Sequence, residues 1–201
     1  PKTNVHNLEG IAFMPYPSQV NKDELLETAW ALAEKDGPQN LTLSHLAAQF
    51  GVKAPSLYRY IRNKAALIRA VNEQTETMLY RALNAAQARS DDPYTQLIDM
   101  ADAYWDFALT HPRVYAMAFT TSDPEQRPDP IYQVHAVQPI QAIMAHISGE
   151  AQSLAALRGI IALMHGFVML VIHQQLRRGG DLQAAYQQSV RAYLAGWQRD
   201  G

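Results

Sequence analysis

The sequence predicts an all-α protein of about nine helices, with an N-terminal helix-turn-helix three-helix domain followed by a C-terminal helical domain. Of the 201 residues, 48% are apolar and 18% are charged, which is enough apolar material for a sizeable core. Apolar residues recur at helical spacing along most of the chain, and no run alternates apolar and polar residues as a half-buried strand would.

The predicted helices of the N-terminal half begin after residues that cap helices well. Asn21, Thr42 and Asn63 can each accept a hydrogen bond from a free N–H of the following turn. The expected helices cover residues 22–35, 43–50, 54–60 and 64–88, with Gly37 and Gly51 ending the first two. We therefore expect an N-terminal arm over 1–20, one domain over 21–70 and a second over 71–201.

The predicted helices of the C-terminal half are separated by Pro and Gly. One begins at Pro93 and bends at His111-Pro112, a short one reaches Phe119, and the last three cover 131–147, 151–177 and 181–199. Residues 120–130 contain three prolines and are expected to form an exposed loop.

Several classes of protein are excluded by composition. The chain has no cysteine, so disulfides and thiolate metal cages are absent. The first twenty residues lack the long apolar core of a signal peptide. The longest apolar run, Leu154–Ile172, is interrupted by Arg158 and His165, which favours a buried helix over a membrane span.

Positive charge is concentrated in one short window. Between Leu41 and Asn72 there are five basic residues and no Asp or Glu, whereas the remainder holds the other 12 of the 17 bases and all 19 acids. Such a patch on an acidic body is typical of a protein that approaches a polyanion with one face, although a solvated helix surface explains five charges equally well.

Residues 43–60 have the spacing of a helix-turn-helix. Ala47 is small enough for two helices to cross closely, and Gly51, four positions later, tolerates the positive φ of the turn. The second helix would then present Lys53, Ala54, Ser56, Arg59 and Tyr60 outward. Together with the basic window, this pattern indicates nucleic-acid binding.

The segment LTLSHLAAQFGVKAPSLYRYIRNKAAL resembles the DNA-binding domain of the tetracycline-repressor (TetR/AcrR) family of bacterial transcriptional regulators, and ELLETAWALAEKDGPQN resembles that family's first helix. The resemblance is specific over residues 22–70. Two looser similarities, YWDFALTHPRVYAMAF and the pair His165-Gly166, point to a ligand-binding domain type found in one branch of the family.

The resemblance implies DNA contacts at ten positions. Thr42 and Ser44 would contact phosphate or a base edge, Arg59 would read a guanine edge, and Lys64 would bind phosphate at a helix N-terminus. The remaining positions are Lys53, Ala54, Pro55, Ser56, Tyr58 and Tyr60. Ser44 and Ala54 stand where some members carry longer polar readers, so we expect specificity to depend on Lys53 and Arg59.

The last two helices carry stripes suited to pairing with a second copy, which a single recognition helix needs in order to read enough bases. The eighth predicted helix has a stripe of small residues, and the ninth has a larger apolar stripe. The candidate dimer residues are Ala155, Gly159, Ala162, Gly166, Tyr186, Val190, Tyr193 and Trp197. A monomeric core that uses the same stripes is the alternative.

The central helices are rich in aromatic and methionine residues with polar tips between them, as in an apolar effector pocket. The candidate ligand residues are Tyr104, Trp105, Tyr115, Phe119, His135, His165, Phe167 and Met169. Ordinary core packing explains each of them singly. Few Lys or Arg residues fall on these stripes, so a hydrophobic or aromatic effector is expected.

No catalytic motif is present, and the spacing of His residues does not suit a helical metal site. We therefore expect no cofactor and no metal. The favoured interpretation is a homodimeric, cytoplasmic repressor released from a palindromic operator by a small molecule. The alternatives are a helical enzyme or ligand carrier whose basic patch binds an acidic substrate or partner, and a ligand-independent architectural DNA-binding protein.

Overall fold

A computed structural model of the chain describes residues 21–198, apart from the side chains of residues 132 and 133. In this range it contains eight α-helices and no strand. The helices are α1 (Lys22–Asp36), α2 (Leu43–Gln49), α3 (Lys64–Gln87), α4 (Pro93–Thr110), α5 (Pro112–Thr120), α6 (Pro130–Ser148), α7 (Ser153–Ile172) and α8 (Leu182–Ala195). Four short 3-10 helices are Pro38–Asn40, Ala54–Leu57, Pro124–Gln126 and Glu150–Gln152. The all-α prediction is confirmed, and the predicted arm over 1–20 lies outside the described residues.

Side-chain caps set the starts of six of the described α-helices, among them α1 to α4. Asn21 accepts from the N–H of Asp23 at 3.0 Å and Thr42 from that of His45 at 3.1 Å. Asn63 and Asp92 each cap the third residue after them, both at 2.8 Å. These bonds satisfy backbone donors that the helices themselves leave free, which explains why the starts match the prediction.

The buried apolar residues form two clusters that α3 joins. Leu67, Ile68 and Val71 of α3 belong to a cluster with α1, α2 and residues 54–61. Leu79 and Leu83 belong to the second cluster, with α4, α6, α7 and α8. The turns of α3 between the clusters bury polar side chains instead, where Trp30 Nε1 donates to Thr75 Oγ1 at 3.0 Å.

The segment before α6 is largely exposed, as predicted for the loop over 120–130, but one side of it packs against α3. Asn72 is fully buried, and its Nδ2 donates to the backbone oxygen of Gln126 at 2.9 Å. Pro128 is also buried. The prolines limit the segment's backbone freedom, so it can dock at a low entropic cost.

Helix α7 ends earlier than the predicted residue 177. Gln174 adopts a positive φ of 54°, and the N–H of Gln175 turns back to the oxygen of Leu170 at 2.8 Å. This bond closes the helix end in the manner of a Schellman motif. Helix α8 ends at Ala195, also before the predicted limit.

Much of α7 is apolar and uncovered. The stretch Glu150–Ile172 is long and apolar enough to cross a membrane by length and composition, and 28% of its most apolar window is buried. The expectation of a buried core helix therefore holds for one side only. Leu154, Ile161 and Leu170 are all exposed on this helix.

Candidate functional site

The segment 54–60, here called the recognition segment, is a 3-10 helix over Ala54–Leu57 followed by a turn. The predicted α-helix over 54–60 is wrong in type. The N–H of Ser56 donates to the oxygen of Lys53 at 2.9 Å, and that of Tyr60 to Leu57 at 2.9 Å. The 3-10 helix is only four residues long, and the segment closes through bonds of the tighter 3-10 spacing, which is typical of short helices.

One buried side chain anchors the recognition segment. Leu57 is 0% exposed within the N-terminal cluster, and Ala54 and Tyr60 pack half-buried beside it. Pro55, Ser56, Tyr58 and Arg59 are exposed, Tyr58 to 56%. The guanidinium of Arg59 lies 4.6 Å from the ring centroid of Tyr60, within the range of a cation–π contact.

The turn before the recognition segment has the geometry that the spacing predicts. Gly51 has a φ of +63°, in the left-handed region that favours glycine. The N–H of Val52 donates to the oxygen of Ala47 at 3.1 Å, and Ala47 is 1% exposed. The small side chain of Ala47 therefore allows the chain to fold back closely onto α2.

The other candidate DNA contacts lie on or beside α2 and α3. Thr42 is half-buried because its hydroxyl caps α2, whereas Ser44, Lys53 and Lys64 are exposed. Lys64 begins α3, and its Nζ is 3.5 Å from the backbone oxygen of Gln39. Hydroxyls and cations are thus exposed in a stretch that contains no acid, an arrangement that can hold a phosphate backbone.

A cavity of about 260 Å³ lies among α3, α4, α5, α6 and α7. Three of the candidate ligand residues line it: Tyr104, Phe119 and His165. Most of the remaining lining is aliphatic or methionine, and no Lys, Arg, Asp or Glu contributes to it. A larger open groove of about 1000 Å³ along α1, α3 and α6 contains charged residues of both signs and none of the candidate ligand residues.

A hydrogen-bonded chain, here called the Tyr–Tyr–His chain, joins two residues of the cavity wall, Tyr104 and His165, through Tyr115, which lies behind the wall. The hydroxyls of Tyr104 and Tyr115 are 2.5 Å apart, and Tyr115 Oη is 2.7 Å from His165 Nδ1. Burial raises the pKa of Tyr104 to about 12 and that of Tyr115 well above its usual value. Burial also lowers the pKa of His165, so all three groups are neutral at pH 7.

Four of the candidate ligand residues lie away from the cavity. Trp105 and Phe167 pack on Tyr186, with ring centroids 4.9 and 5.5 Å away, in the core that α4, α7 and α8 share. His135 is exposed on α6, and Met169 is half-buried against the core. Apolar periodicity marks all of these positions alike and does not distinguish a cavity from a filled core.

The cavity also contains residues that were not selected from the sequence. Tyr80 and Leu83 of α3, Met100 of α4 and Met164 of α7 all line it. Burial, together with the nearby Glu76 carboxylate, raises the pKa of Tyr80 to about 12. The helical spacing of 80, 83, 100 and 104 could have indicated facing sides of α3 and α4, but it does not show that a space remains between them.

The candidate dimer residues divide into exposed and internal positions. Tyr186 and Val190 are buried within the protomer, and Tyr186 donates its hydroxyl to the oxygen of Ala101 at 2.8 Å. Gly159 is covered by Tyr193, whose hydroxyl lies 2.0 Å from where a Cβ would stand and donates to the oxygen of Ala156. These internal contacts correct the prediction that the whole stripe of each helix faces a partner.

The exposed or half-buried remainder forms an apolar surface on α7, here called the outer face, which the exposed Arg158 interrupts. It consists of Leu154, Ala155, Ile161, Ala162, Gly166 and Leu170. Gly166 has open space where a Cβ would stand, and Trp197 of the C-terminal end is half-buried. Leu154, Ile161 and Leu170 lie outside the stripe of small residues from which the interface was predicted.

No group of three or more His, Asp or Glu side chains within the part of the chain that the structure describes could hold a metal ion.

Sequence comparisons place both halves of the chain in known families. A family described as bacterial regulatory proteins of the tetR family matches residues 25–71, and a tetracyclin repressor-like C-terminal domain family matches residues 97–193. The uncharacterized HTH-type transcriptional regulator Rv0681 of Mycobacterium tuberculosis is 33% identical over 91% of this chain and 84% of its own length. YobS of Bacillus subtilis, also an uncharacterized HTH-type transcriptional regulator, is 24% identical over 86% of this chain and 90% of its own.

Solved structures share the fold. A protein of unknown function from Rhodococcus sp. RHA1 superposes with a TM-score of 0.72 at 22% identity, covering 92% of this chain and 100% of that one. A TetR variant from Acinetobacter baumannii, solved in complex with minocycline, gives a TM-score of 0.65 at 19% identity, covering 88% and 96%. From the two family matches and the relative in M. tuberculosis, the chain belongs to the TetR family of DNA-binding transcriptional regulators.

Proposed function

We propose that this regulator is a homodimeric repressor, which binds a near-palindromic operator through residues 42–64 and is released when a small hydrophobic or aromatic effector enters the cavity of the C-terminal domain. The observation that carries the DNA-binding part is the exposure of the recognition segment. Leu57 alone is buried in the core, and Pro55, Ser56, Tyr58 and Arg59 on either side of it are exposed. Its position in a window with no acid supports approach to a polyanion.

Each exposed group on this surface suits one kind of DNA contact. Ser56 and Tyr58 offer hydroxyls to phosphates, and Arg59 offers a two-pronged donor to a guanine edge. The stacking of Arg59 over Tyr60 restricts the guanidinium before DNA arrives, which lowers the entropic cost of binding. Lys64 would bind phosphate at the N-terminus of α3, where the helix dipole adds to its charge. Thr42, Ser44, Lys53, Ala54 and Pro55 complete the proposed surface.

The second copy would pack on the outer face of α7. An isolated protomer leaves this apolar surface in water, whereas a twofold-related copy would bury it and align two recognition segments with successive major grooves. A membrane would also cover an apolar helix, but exposed Arg158 lies on α7 and would then sit in hydrocarbon. We therefore propose a cytoplasmic dimer, with the domain boundary near residue 70 of α3.

Two connections could carry an effector signal from the cavity to the DNA-binding domain. The first is α3, which lines the cavity with Leu79 and Leu83 and contributes Leu67 to the N-terminal cluster. The second is a contact between α1 and α5, here called the α1–α5 latch. In it Glu34 Oε2 accepts from the N–H of Val114 at 3.0 Å, and Arg113 donates to the backbone oxygens of Glu34 and Lys35.

The α1–α5 latch lies directly beside the cavity's polar chain. Val114 belongs to the N-terminal cluster, and Tyr115, the next residue, is the middle of the Tyr–Tyr–His chain. A displacement of α5 by the effector would therefore move α1, and a tilt of α3 would change the separation of the recognition segments. A coupling of about 1–3 kcal/mol is typical for such switches.

The DNA-binding part is tested by gel shift with promoter DNA flanking the gene. We expect Arg59→Ala and Tyr58→Ala each to weaken binding, Arg59→Ala by about 1–3 kcal/mol if it reads a base edge. Arg89→Ala removes the same charge from an exposed position at the end of α3 and serves as the matched control.

Unchanged binding in both Arg59→Ala and Tyr58→Ala would contradict the proposed readout. If Arg89→Ala weakened binding as much as Arg59→Ala, Arg59 would contribute only non-specific electrostatic attraction. We propose no catalytic role for the chain, in line with relatives that are transcriptional regulators. A helical enzyme or carrier whose basic patch binds an acidic substrate or partner would show no specific gel shift with the promoter DNA in the native protein.

A further inference from the structure

We infer that the effector is an uncharged, mainly apolar molecule carrying one ketone oxygen, which accepts a hydrogen bond from His165 Nε2 at the end of the Tyr–Tyr–His chain. This inference rests on the proposed role of the cavity as the effector site and adds the chemistry that the site selects.

The lining of the cavity selects against charge. No Lys, Arg, Asp or Glu lines it, so a carboxylate or ammonium group would leave water without meeting an opposite charge. Such a transfer is strongly unfavourable in an apolar environment. The three polar side chains of the Tyr–Tyr–His chain are themselves neutral and hydrogen-bonded to one another.

The Tyr–Tyr–His chain leaves one ring nitrogen of His165 for a ligand. His165 Nδ1 is bound to Tyr115, and the described residues provide no hydrogen-bond partner for Nε2 of the same ring. If Tyr115 donates to Nδ1, the neutral imidazole must carry its proton on Nε2 and donates to a ketone oxygen. If Nδ1 instead donated to Tyr115, Nε2 could only accept, and a ketone oxygen would gain no hydrogen bond there.

The size of the cavity limits the ligand to a small molecule. About 260 Å³ lies just below the range of about 300–1,000 Å³ common for ligand pockets. Phe119 provides an aromatic ring in the wall, and Ile160 and Met164 provide aliphatic and thioether surface. A bicyclic aromatic body with one oxygen-bearing substituent matches this volume and lining.

Three matched probes test the inference: 2-acetonaphthone, its hydrocarbon isostere 2-isopropenylnaphthalene, and the anion 2-naphthoate. Their binding to the full-length protein is measured by equilibrium dialysis without DNA. We expect the ketone to bind about 3- to 10-fold tighter than the hydrocarbon, the gain of one net hydrogen bond, and the anion at least about 10-fold weaker than the ketone.

Variants test whether the preference for the ketone depends on the Tyr–Tyr–His chain. In His165→Leu the ketone should lose its advantage over the hydrocarbon, and in Tyr115→Phe, which no longer fixes the histidine tautomer, the advantage should shrink. His146→Leu, at an exposed histidine on α6, should keep it. Thermal unfolding of each variant shows that it is folded. Because Tyr115→Phe keeps the ring, it tests the chain even where loss of the histidine destabilises the cavity.

Four results would overturn the inference: equal affinity for ketone and hydrocarbon in the native protein, a ketone preference that survives His165→Leu, tight binding of 2-naphthoate, or no binding of any probe. The gel shift with Arg59→Ala is independent of these measurements. A protein that binds DNA through Arg59 but shows any of these four results retains its proposed DNA-binding role and loses the proposed effector class.

Discussion

The α1–α5 latch provides a quantitative test of how the two domains are joined. Helix α5 begins after His111, which makes no side-chain cap, and the N–H of Val114 instead donates to the Glu34 carboxylate of α1. Glu34 therefore acts as an N-cap supplied by another domain. Replacing a capping side chain with alanine costs about 0.5–2 kcal/mol, and the charge–dipole part alone is about 0.3–1 kcal/mol.

We expect Glu34→Ala to lower the free energy of unfolding by about 1 kcal/mol. Glu34→Gln keeps an acceptor oxygen and loses only the charge, so its loss should be smaller. A change of 1 kcal/mol corresponds to a melting-temperature shift of about 2–4 °C in a chain of this size. Urea unfolding at one fixed protein concentration measures both variants, since the stability of a dimer depends on concentration.

Glu125→Ala is the control, because Glu125 is an exposed carboxylate whose side chain accepts no hydrogen bond from the described residues. It should change the unfolding free energy by less than about 0.5 kcal/mol. If Glu34→Ala unfolds like the native protein, or if Glu34→Gln is the more damaging change, the latch does not stabilise the domain contact as described.

Three further substitutions test separate features. Gly51→Ala places a Cβ at a φ of +63° and should lower stability by about 1–2 kcal/mol in thermal unfolding; a neutral result would contradict the requirement for glycine at this turn. Ala162→Glu on the outer face should shift dimers toward monomers in sedimentation, whereas Ala85→Glu on the exposed side of α3 should not, and an intact dimer would exclude that interface. Hydrogen bonds from Thr95 lower the pKa of Asp92, so the stability it contributes is present above its unfolded pKa and is lost as pH falls through the lower folded value. Asp92→Asn should therefore lower the free energy of unfolding at pH 7, but not at a pH below both the folded and the unfolded pKa of Asp92. A loss of stability that does not depend on pH would contradict this.

Helix starts could be predicted closely and helix ends less so. A capping residue such as Asn21, Thr42 or Asn63 is a local signal, because it bonds to an N–H only two or three residues away. The end of α7 depends on a positive φ at Gln174, and glutamine rarely adopts a positive φ, so nothing in the sequence indicated it. The type of the recognition segment was also missed, since so few residues favour 3-10 bonds over α-helical ones.

Residues of the candidate DNA-binding surface, which must be exposed, could be predicted well. Residues that line the cavity could be predicted less well. The polar tips of Ser56, Tyr58 and Arg59 stand out beside a single anchoring leucine, and the structure exposes all three. Trp105 and Tyr104 are adjacent and similar in type, yet one fills the core and the other lines the cavity. Periodicity identifies the inward side of a helix, but the volume left between inward sides depends on how all the helices pack together.

The dependence of the recognition segment on Leu57 alone has a consequence for evolution. The side chains at 55, 56, 58 and 59 contribute little to the folded core, so their substitution changes the free energy of unfolding only slightly. Paralogues that descend from such a chain can therefore acquire new target sites by drift at these positions while inheriting an unaltered scaffold. Selection at Leu57 and selection at its neighbours act on separate properties, and a duplicated gene can diverge in one without losing the other.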